Sequence, residues 1–171
     1  MSITKETDRR KIIIHDLDDL VIGSILKDNQ TDTVVIPHNE KILPCMCCFA
    51  CWIKTPGQCV IKDGYDNMGE LLSKCDQLII ISRNCYGGFS PFVKNVLDRS
   101  VCPFILPYFI TENGETRHPR RYKNKISYSA HFYGIFSGNE KETAENLVKK
   151  IAQKQKMTVN FYNSFEDIKE V

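Results

Sequence analysis

The feature that most constrains this chain is a regular alternation: short apolar runs of strand length are separated by stretches whose apolar residues recur at helical spacing. Lys11-Ile12-Ile13-Ile14-His15, Thr33-Val34-Val35-Ile36-Pro37 and Gln77-Leu78-Ile79-Ile80-Ile81-Ser82 are the near-continuous β-branched runs that a sheet buried on both faces requires. Lys125 to Tyr133 and Thr158 to Tyr162 complete five predicted strands. Between them lie helix-compatible segments. Leu17 to Leu26 has Asp16 placed to cap it, and Tyr65 to Cys75 carries Met68, Leu71, Leu72 and Cys75 on one face. Pro91 to Arg99 starts with Ser90 as N-cap and Pro91 at the first helical position, and Lys141 to Gln155 sets Leu147, Val148 and Ile151 on one face. Pro103 to Asn124, rich in Pro and polar residues, reads as a loop. Such alternation implies parallel strands joined by right-handed helical crossovers, a three-layer α/β sheet. Ligands bind such sheets beyond the carboxyl ends of the strands, where strand order reverses. Here those ends are Asp16 to Asp19, the loop after Pro37, Arg83 to Ser90, and Gly134 to Asn139.

With 171 residues, 42% hydrophobic and 26% charged, the chain suits one globular domain over 1–171; two would be cramped. A net charge of +2 and the lack of a Lys/Arg stripe interleaved with aromatics exclude a nucleic-acid footprint. The basic knot from Arg117 to Lys123 is short and reads as a solvated loop. Met1 to Lys11 is polar, and no apolar run reaches the ~20 residues a membrane span needs, so a cytoplasmic protein is expected. No Ser-His-Asp order, H-E-x-x-H or P-loop supports hydrolysis.

Five of the eight cysteines fall between Cys45 and Cys59, and Cys45, Cys48, Cys51 and Cys59 read C-x2-C-x2-C-x7-C. Thiolates so spaced are able to converge on one [4Fe-4S] cluster; a structural zinc prefers two separated pairs; and a loop of small apolar thiols beside Phe49 and Trp52 needs no metal. Cys47 fits no ligand grid. A second segment pairs Gly87 with Gly88 between the best strand and a helix. The pair lets the backbone approach a flat ligand, Tyr86 offers a ring face, and N–H groups near Cys85 to Gly88 suit its polar edge. The plainer reading is a tight turn feeding the helix.

The run from Cys45 to Asp63, with its Phe49-Ala50-Cys51-Trp52, resembles the signature of the flavodoxin-like NAD(P)H-dependent FMN reductases, including the iron-sulfur flavoproteins. Tyr86-Gly87-Gly88-Phe89-Ser90-Pro91 through Arg99 is similar to the flavin-contacting loop and following helix of that family. Asn113-Gly114-Glu115, Arg120-Arg121-Tyr122 and Phe132-Tyr133-Gly134 also resemble its members, so the similarity spans about Pro44 to Gln155. The resemblance implies a three-layer α/β/α flavodoxin-like fold with a five-stranded parallel sheet of order 2-1-3-4-5. It further implies FMN held by Arg83, Asn84, Cys85, Tyr86, Gly87 and Gly88, NAD(P)H as co-substrate, a small-molecule or redox-protein acceptor, and a homo-oligomer. From the iron-sulfur branch comes a [4Fe-4S] cluster on Cys45, Cys48, Cys51 and Cys59.

One departure from the family is electrostatic. Where it carries a Gly-Ser-rich phosphate loop after the first strand, this chain reads His15-Asp16-Leu17-Asp18-Asp19-Leu20. Carboxylates there suit a helix N-terminus but repel a phosphate dianion. His15 is either a compensating cation or a buried strand-end histidine. Three functions follow: an FMN oxidoreductase, a cofactor-free flavodoxin-like module that binds a partner or subunit, and an iron-sulfur electron carrier. Lys94 and Asp98 are spaced as a surface ion pair, Asp98-Arg99 as a brace for the loop or a dimer contact, and His118 lies in the loop as a lid or surface residue.

Overall fold

The computed structural model describes residues 10–26, 32–38, 41–169 and 171. Five strands run parallel in one sheet: β1 (Lys11–His15), β2 (Thr33–Ile36), β3 (Gln77–Arg83), β6 (Ser127–Tyr133) and β7 (Met157–Tyr162). The numbering skips because a two-stranded hairpin, β4 (Ile110–Glu112) and β5 (Glu115–Arg117), lies between β3 and β6. The sheet order is β2-β1-β3-β6-β7, which counted in parallel strands is the flavodoxin-like 2-1-3-4-5.

Period-two alternation splits the apolar runs between two cores. Ile12, Ile14, Leu78, Ile80, Ala130 and Phe132 face α3 (Met68–Ser73), α4 (Pro91–Phe104) and α5 (Glu140–Ala152). Ile13, Ile79 and Ile81 face α1 (Asp19–Ile25), Leu17 and Ile168 near the chain's end. Both faces of β1 and β3 are therefore buried, which is why each carries a run of three isoleucines at its centre. In β6 and β7 the alternation brings polar groups to the second face, where Ser129, His131, Thr158 and Tyr162 hydrogen-bond one another.

Three elements differ from the sequence expectation. The helix before β2 begins at Asp19 with Asp18 at its N-cap, so Asp16 is not its cap. Helix α4 runs past Arg99 to Phe104; Pro103 is tolerated in the last turn, where its missing N–H removes only the bond to Arg99. The expected loop 103–124 contains the hairpin, turned by Asn113 (φ 54°) and Gly114 (φ 78°), the positive-φ pair a tight hairpin requires. In α5 the buried stripe is Ala144, Val148 and Ala152, with Leu147 and Ile151 packed at its edge. Among the described residues no helix is long and apolar enough to cross a membrane.

Candidate functional site

The strand order reverses between β1 and β3, and a cavity of about 350 Å3 opens there. Its wall is built from strand ends: Asp16 after β1, Arg83 closing β3 and Tyr133 closing β6. His38 and Ile42 come from the loop after β2, and Ser90, Pro91, Phe92 and Asn95 from the first turns of α4. This is the crevice in which sheets of this class hold ligands, and the volume falls in the lower part of the usual range for small-molecule sites.

Asp16 organises the wall. Its carboxylate accepts the Arg83 backbone N–H at 2.9 Å and the Tyr133 hydroxyl at 2.9 Å, tying the ends of three adjacent strands together. Burial raises the Tyr133 phenol, and the neighbouring Asp16 charge raises it further, so it remains a donor at neutral pH. A second tie links β3 to α4, where the buried Ser82 hydroxyl accepts the Ser90 N–H at 2.8 Å. Ser90 lines the cavity and is 4% exposed, and its side-chain hydroxyl oxygen, itself buried, has no hydrogen-bond partner among the described residues. A buried hydroxyl without a partner costs stability, and a polar ligand atom would relieve it. His38 packs edge-on against Phe92, with ring centroids 4.5 Å apart.

His15 is the buried strand-end histidine, not a compensating cation. It is fully buried, burial lowers its pKa, and its Nδ1 lies 3.1 Å from the Leu17 carbonyl oxygen and 3.3 Å from the Leu17 nitrogen. Its ring is thus engaged by the backbone of the β1–α1 loop. The loop has no glycine and no positive-φ residue, so it forms no backbone nest for an anion.

Of the six residues expected to hold a flavin ring, Arg83 lines the cavity, and Asn84, Cys85, Tyr86, Gly87 and Gly88 form a turn beside it. Cys85 and Gly88 exchange both N–H···O bonds, and Tyr86 (φ 55°) and Gly87 (φ 77°) take the two central positions. Asn84 holds the turn: its N–H donates to Tyr133 O, its amide donates to Ile135 O and Glu140 Oε2, and its Oδ1 accepts the Gly87 N–H. Three of the four N–H groups from Cys85 to Gly88 are thus used inside the protein. The space a Cβ on Gly87 would need is taken by Glu140 O and Thr143, each 2.8 Å away, so this glycine admits α5. Tyr86 is 92% exposed, its ring free to cover a bound molecule.

The cysteine loop forms a separate pocket. A cleft of about 20 Å3 is bordered by Cys45, Cys47, Cys48, Cys51 and Cys59, joined by Cys102 and Arg99 from α4. Cys102 was outside the sequence grid; only the extension of α4 past Arg99 brings it there, where it pairs with Cys51. Burial raises Cys45 and Cys51, each helped by neighbouring thiols, and burial with the nearby Cys51 pushes Cys102 up to about 12. Cys48 and Cys47 are exposed. Among the described residues no group of three or more His, Cys, Asp or Glu side chains is arranged to hold a metal ion. Cys45, Cys48, Cys51 and Cys59 therefore border one pocket, but the cluster expected from their spacing gains no support from their arrangement.

Arg99 braces this loop, whereas Asp98 pairs with Lys94 on the surface of α4. Arg99 is 1% exposed, pairs with Asp63, and donates to Leu43 O (3.2 Å) and Ile61 O (2.9 Å). His118 lies against Trp52 and Phe109 with Nδ1 near Leu106 O, a packing role under the hairpin.

No family model matches the chain, and no curated protein matches it. Solved structures do. An FMN-dependent NADH-azoreductase from Bacillus anthracis str. Ames Ancestor, in complex with FMN, is 10% identical, with a TM-score of 0.52 over 94% of this chain and 96% of that one. An azoreductase from Bacillus anthracis str. Sterne is 11% identical, with a TM-score of 0.50 over 92% and 90%. At such identity the likeness is one of fold, and it agrees with the strand order: the chain has the flavodoxin-like fold.

Tested against these residues, FMN fits in part. The cavity, its unpartnered Ser90 hydroxyl and the exposed Tyr86 suit a ring with polar edges. A phosphate at the β1–α1 loop does not fit, because Asp16 already occupies the strand ends there and Asp18 and Asp19 follow.

Proposed function

We propose that the chain is a flavodoxin-like oxidoreductase that holds a flavin above β1 and β3 and passes electrons from NAD(P)H to an acceptor. The observation that carries this reading is the cavity's position, at the switch point of a 2-1-3-4-5 parallel sheet. Likeness in fold to an FMN-dependent NADH-azoreductase supports a flavin and a nicotinamide nucleotide as the pair. A bound flavin supplies the hydride chemistry; the protein grips and orients it. In this reading Arg83, Ser90 and Asn95 meet polar atoms of the ligand, and the turn from Asn84 to Gly88 offers the Tyr86 ring as a cover. The acceptor is a small molecule or a redox protein, and the working form is a homo-oligomer.

The test is flavin binding followed by turnover. Quenching of flavin fluorescence by the purified protein, and NADH or NADPH oxidation that depends on added flavin, are expected. Absence of both with every flavin offered sinks the proposal. It would select the other reading, a cofactor-free module that binds a partner, which one observation favours: Asp16 satisfies the strand ends without a ligand.

A further inference from the structure

The misfit at the first loop points to the form of the ligand. We propose, resting on the flavin reading above, that this cavity selects a flavin whose side chain ends in a hydroxyl, as in riboflavin, over the phosphorylated FMN. Asp16 is the residue that decides. Its carboxylate lines the cavity at the end of β1 and is fixed there by Arg83 N–H on Oδ2 and Tyr133 hydroxyl on Oδ1, both at 2.9 Å. A carboxylate offers about four acceptor positions, so two bonds leave capacity for two further donors. A polyol side chain brings hydroxyl donors. A phosphate dianion brings acceptors and like charge.

The surrounding charges do not reverse this preference. Among the described lining residues Asp16 and Arg83 balance, one carboxylate to one guanidinium, while Asp18 before α1 and Asp19 at its first position stand exposed just beyond and add negative charge near the end of β1. Helix α1 has 7 residues with an acidic first turn, and its loop lacks the glycines and positive-φ backbone that cradle phosphates. The other polar residues of the lining, His38, Ser90 and Asn95, serve a hydroxyl or carbonyl as readily as an anion.

The experiment is fluorescence titration of the full-length protein with riboflavin and with FMN at low and at 0.5 M salt, for wild type and Asp16→Asn. Wild type is expected to bind riboflavin at least tenfold more tightly than FMN at low salt. High salt narrows the gap, because it screens the repulsion, and Asp16→Asn narrows it by strengthening FMN. Wild type that binds FMN as tightly as riboflavin, or more tightly, overturns the inference and leaves the oxidoreductase reading standing. Wild type that binds neither overturns both. The wild-type comparison needs no variant, so an Asp16→Asn protein that fails to fold does not rescue the idea.

Discussion

Arg99 and Asp63 form the pair on which the cysteine loop hangs, and the consequences of breaking it differ by side. The Arg99 side chain is completely buried, whereas Asp63 retains 16% exposure. Burial opposes ionisation of Asp63, but Arg99 and the N–H groups of Leu43 and Tyr65 outweigh it and hold its carboxyl below the usual range. In Asp63→Asn the guanidinium stays charged and buried, with the Leu43 and Ile61 carbonyls and the Cys59 side chain as its remaining partners. Loss of one member of a buried pair costs about 3–5 kcal/mol, and those two carbonyls place the variant near the low end, about 3 kcal/mol. In Arg99→Met the charge is gone, Asp63 keeps two backbone donors and solvent, and the cost is that of carbonyls left unpaired, about 2 kcal/mol. The double variant removes the stranded cation, so it should be more stable than Asp63→Asn alone. Urea unfolding followed by circular dichroism at pH 7 reads all three. Asp63 has a depressed folded pKa, so its contribution is present above the ordinary carboxylate range and is lost as pH falls through the folded value. The gap between wild type and Asp63→Asn should therefore close on acidification. A double variant whose loss equals the sum of the two single losses refutes the argument, because independence would mean that the two charges do not interact.

Three further outcomes follow from buried groups. His131 sits between Ser129 and Tyr162 with its pKa lowered to about 4 by burial, so the unfolded chain takes up a proton the folded one refuses. Stability should fall as pH drops from 6.5 toward 4, by roughly 3 kcal/mol at most, and His131→Gln should flatten that slope in urea unfolding at pH 7 and 4.5. Brief iodoacetamide treatment of native protein, read by mass spectrometry, should label the exposed Cys47 and Cys48 first. Cys75 and Cys102, each raised to about 12 by burial first, should label last; the reverse order would contradict the thiol pocket. Gly87→Ala meets Glu140 O and Thr143 at 2.8 Å with φ at 77° and should lower Tm by at least 4–8 °C, from a cost of about 2 kcal/mol. Gly88→Ala, which meets only Cys85 O at 3.3 Å, should shift it much less.

The sheet was readable because burial on both faces leaves little choice of residue, and the isoleucine runs at 12–14 and 79–81 announce it. The Asn113-Gly114 hairpin was also readable, since that dipeptide is the strongest short hairpin signal, but Pro-rich surroundings hid it. Other features were not local enough. Asp16 looks like a helix cap because Asp before an apolar run usually is one; its actual donors, Arg83 and Tyr133, lie 67 and 117 residues away. The spacing of Cys45, Cys48, Cys51 and Cys59 says which thiols are near in sequence, but not that Cys102 arrives from a helix running through Pro103. Ser82 carried no signal at all, being the last residue of an apolar run, yet it ties β3 to α4.

Asp16 also bears on how this sheet holds its open end together. The carboxyl ends of parallel strands expose loops whose order, in a ligand-binding sheet, is coupled to the ligand by mass action. Here the ends of β1, β3 and β6 are joined by a carboxylate accepting from one backbone amide and one phenol, with Ser82 joining β3 to α4. These ties need no bound anion, so the geometry of the cavity wall persists in the free protein. The same carboxylate therefore couples room at the end of β1 to the order of the strand ends: replacing Asp16 by a smaller neutral side chain would open room for an anion only by releasing the strand ends it now fastens.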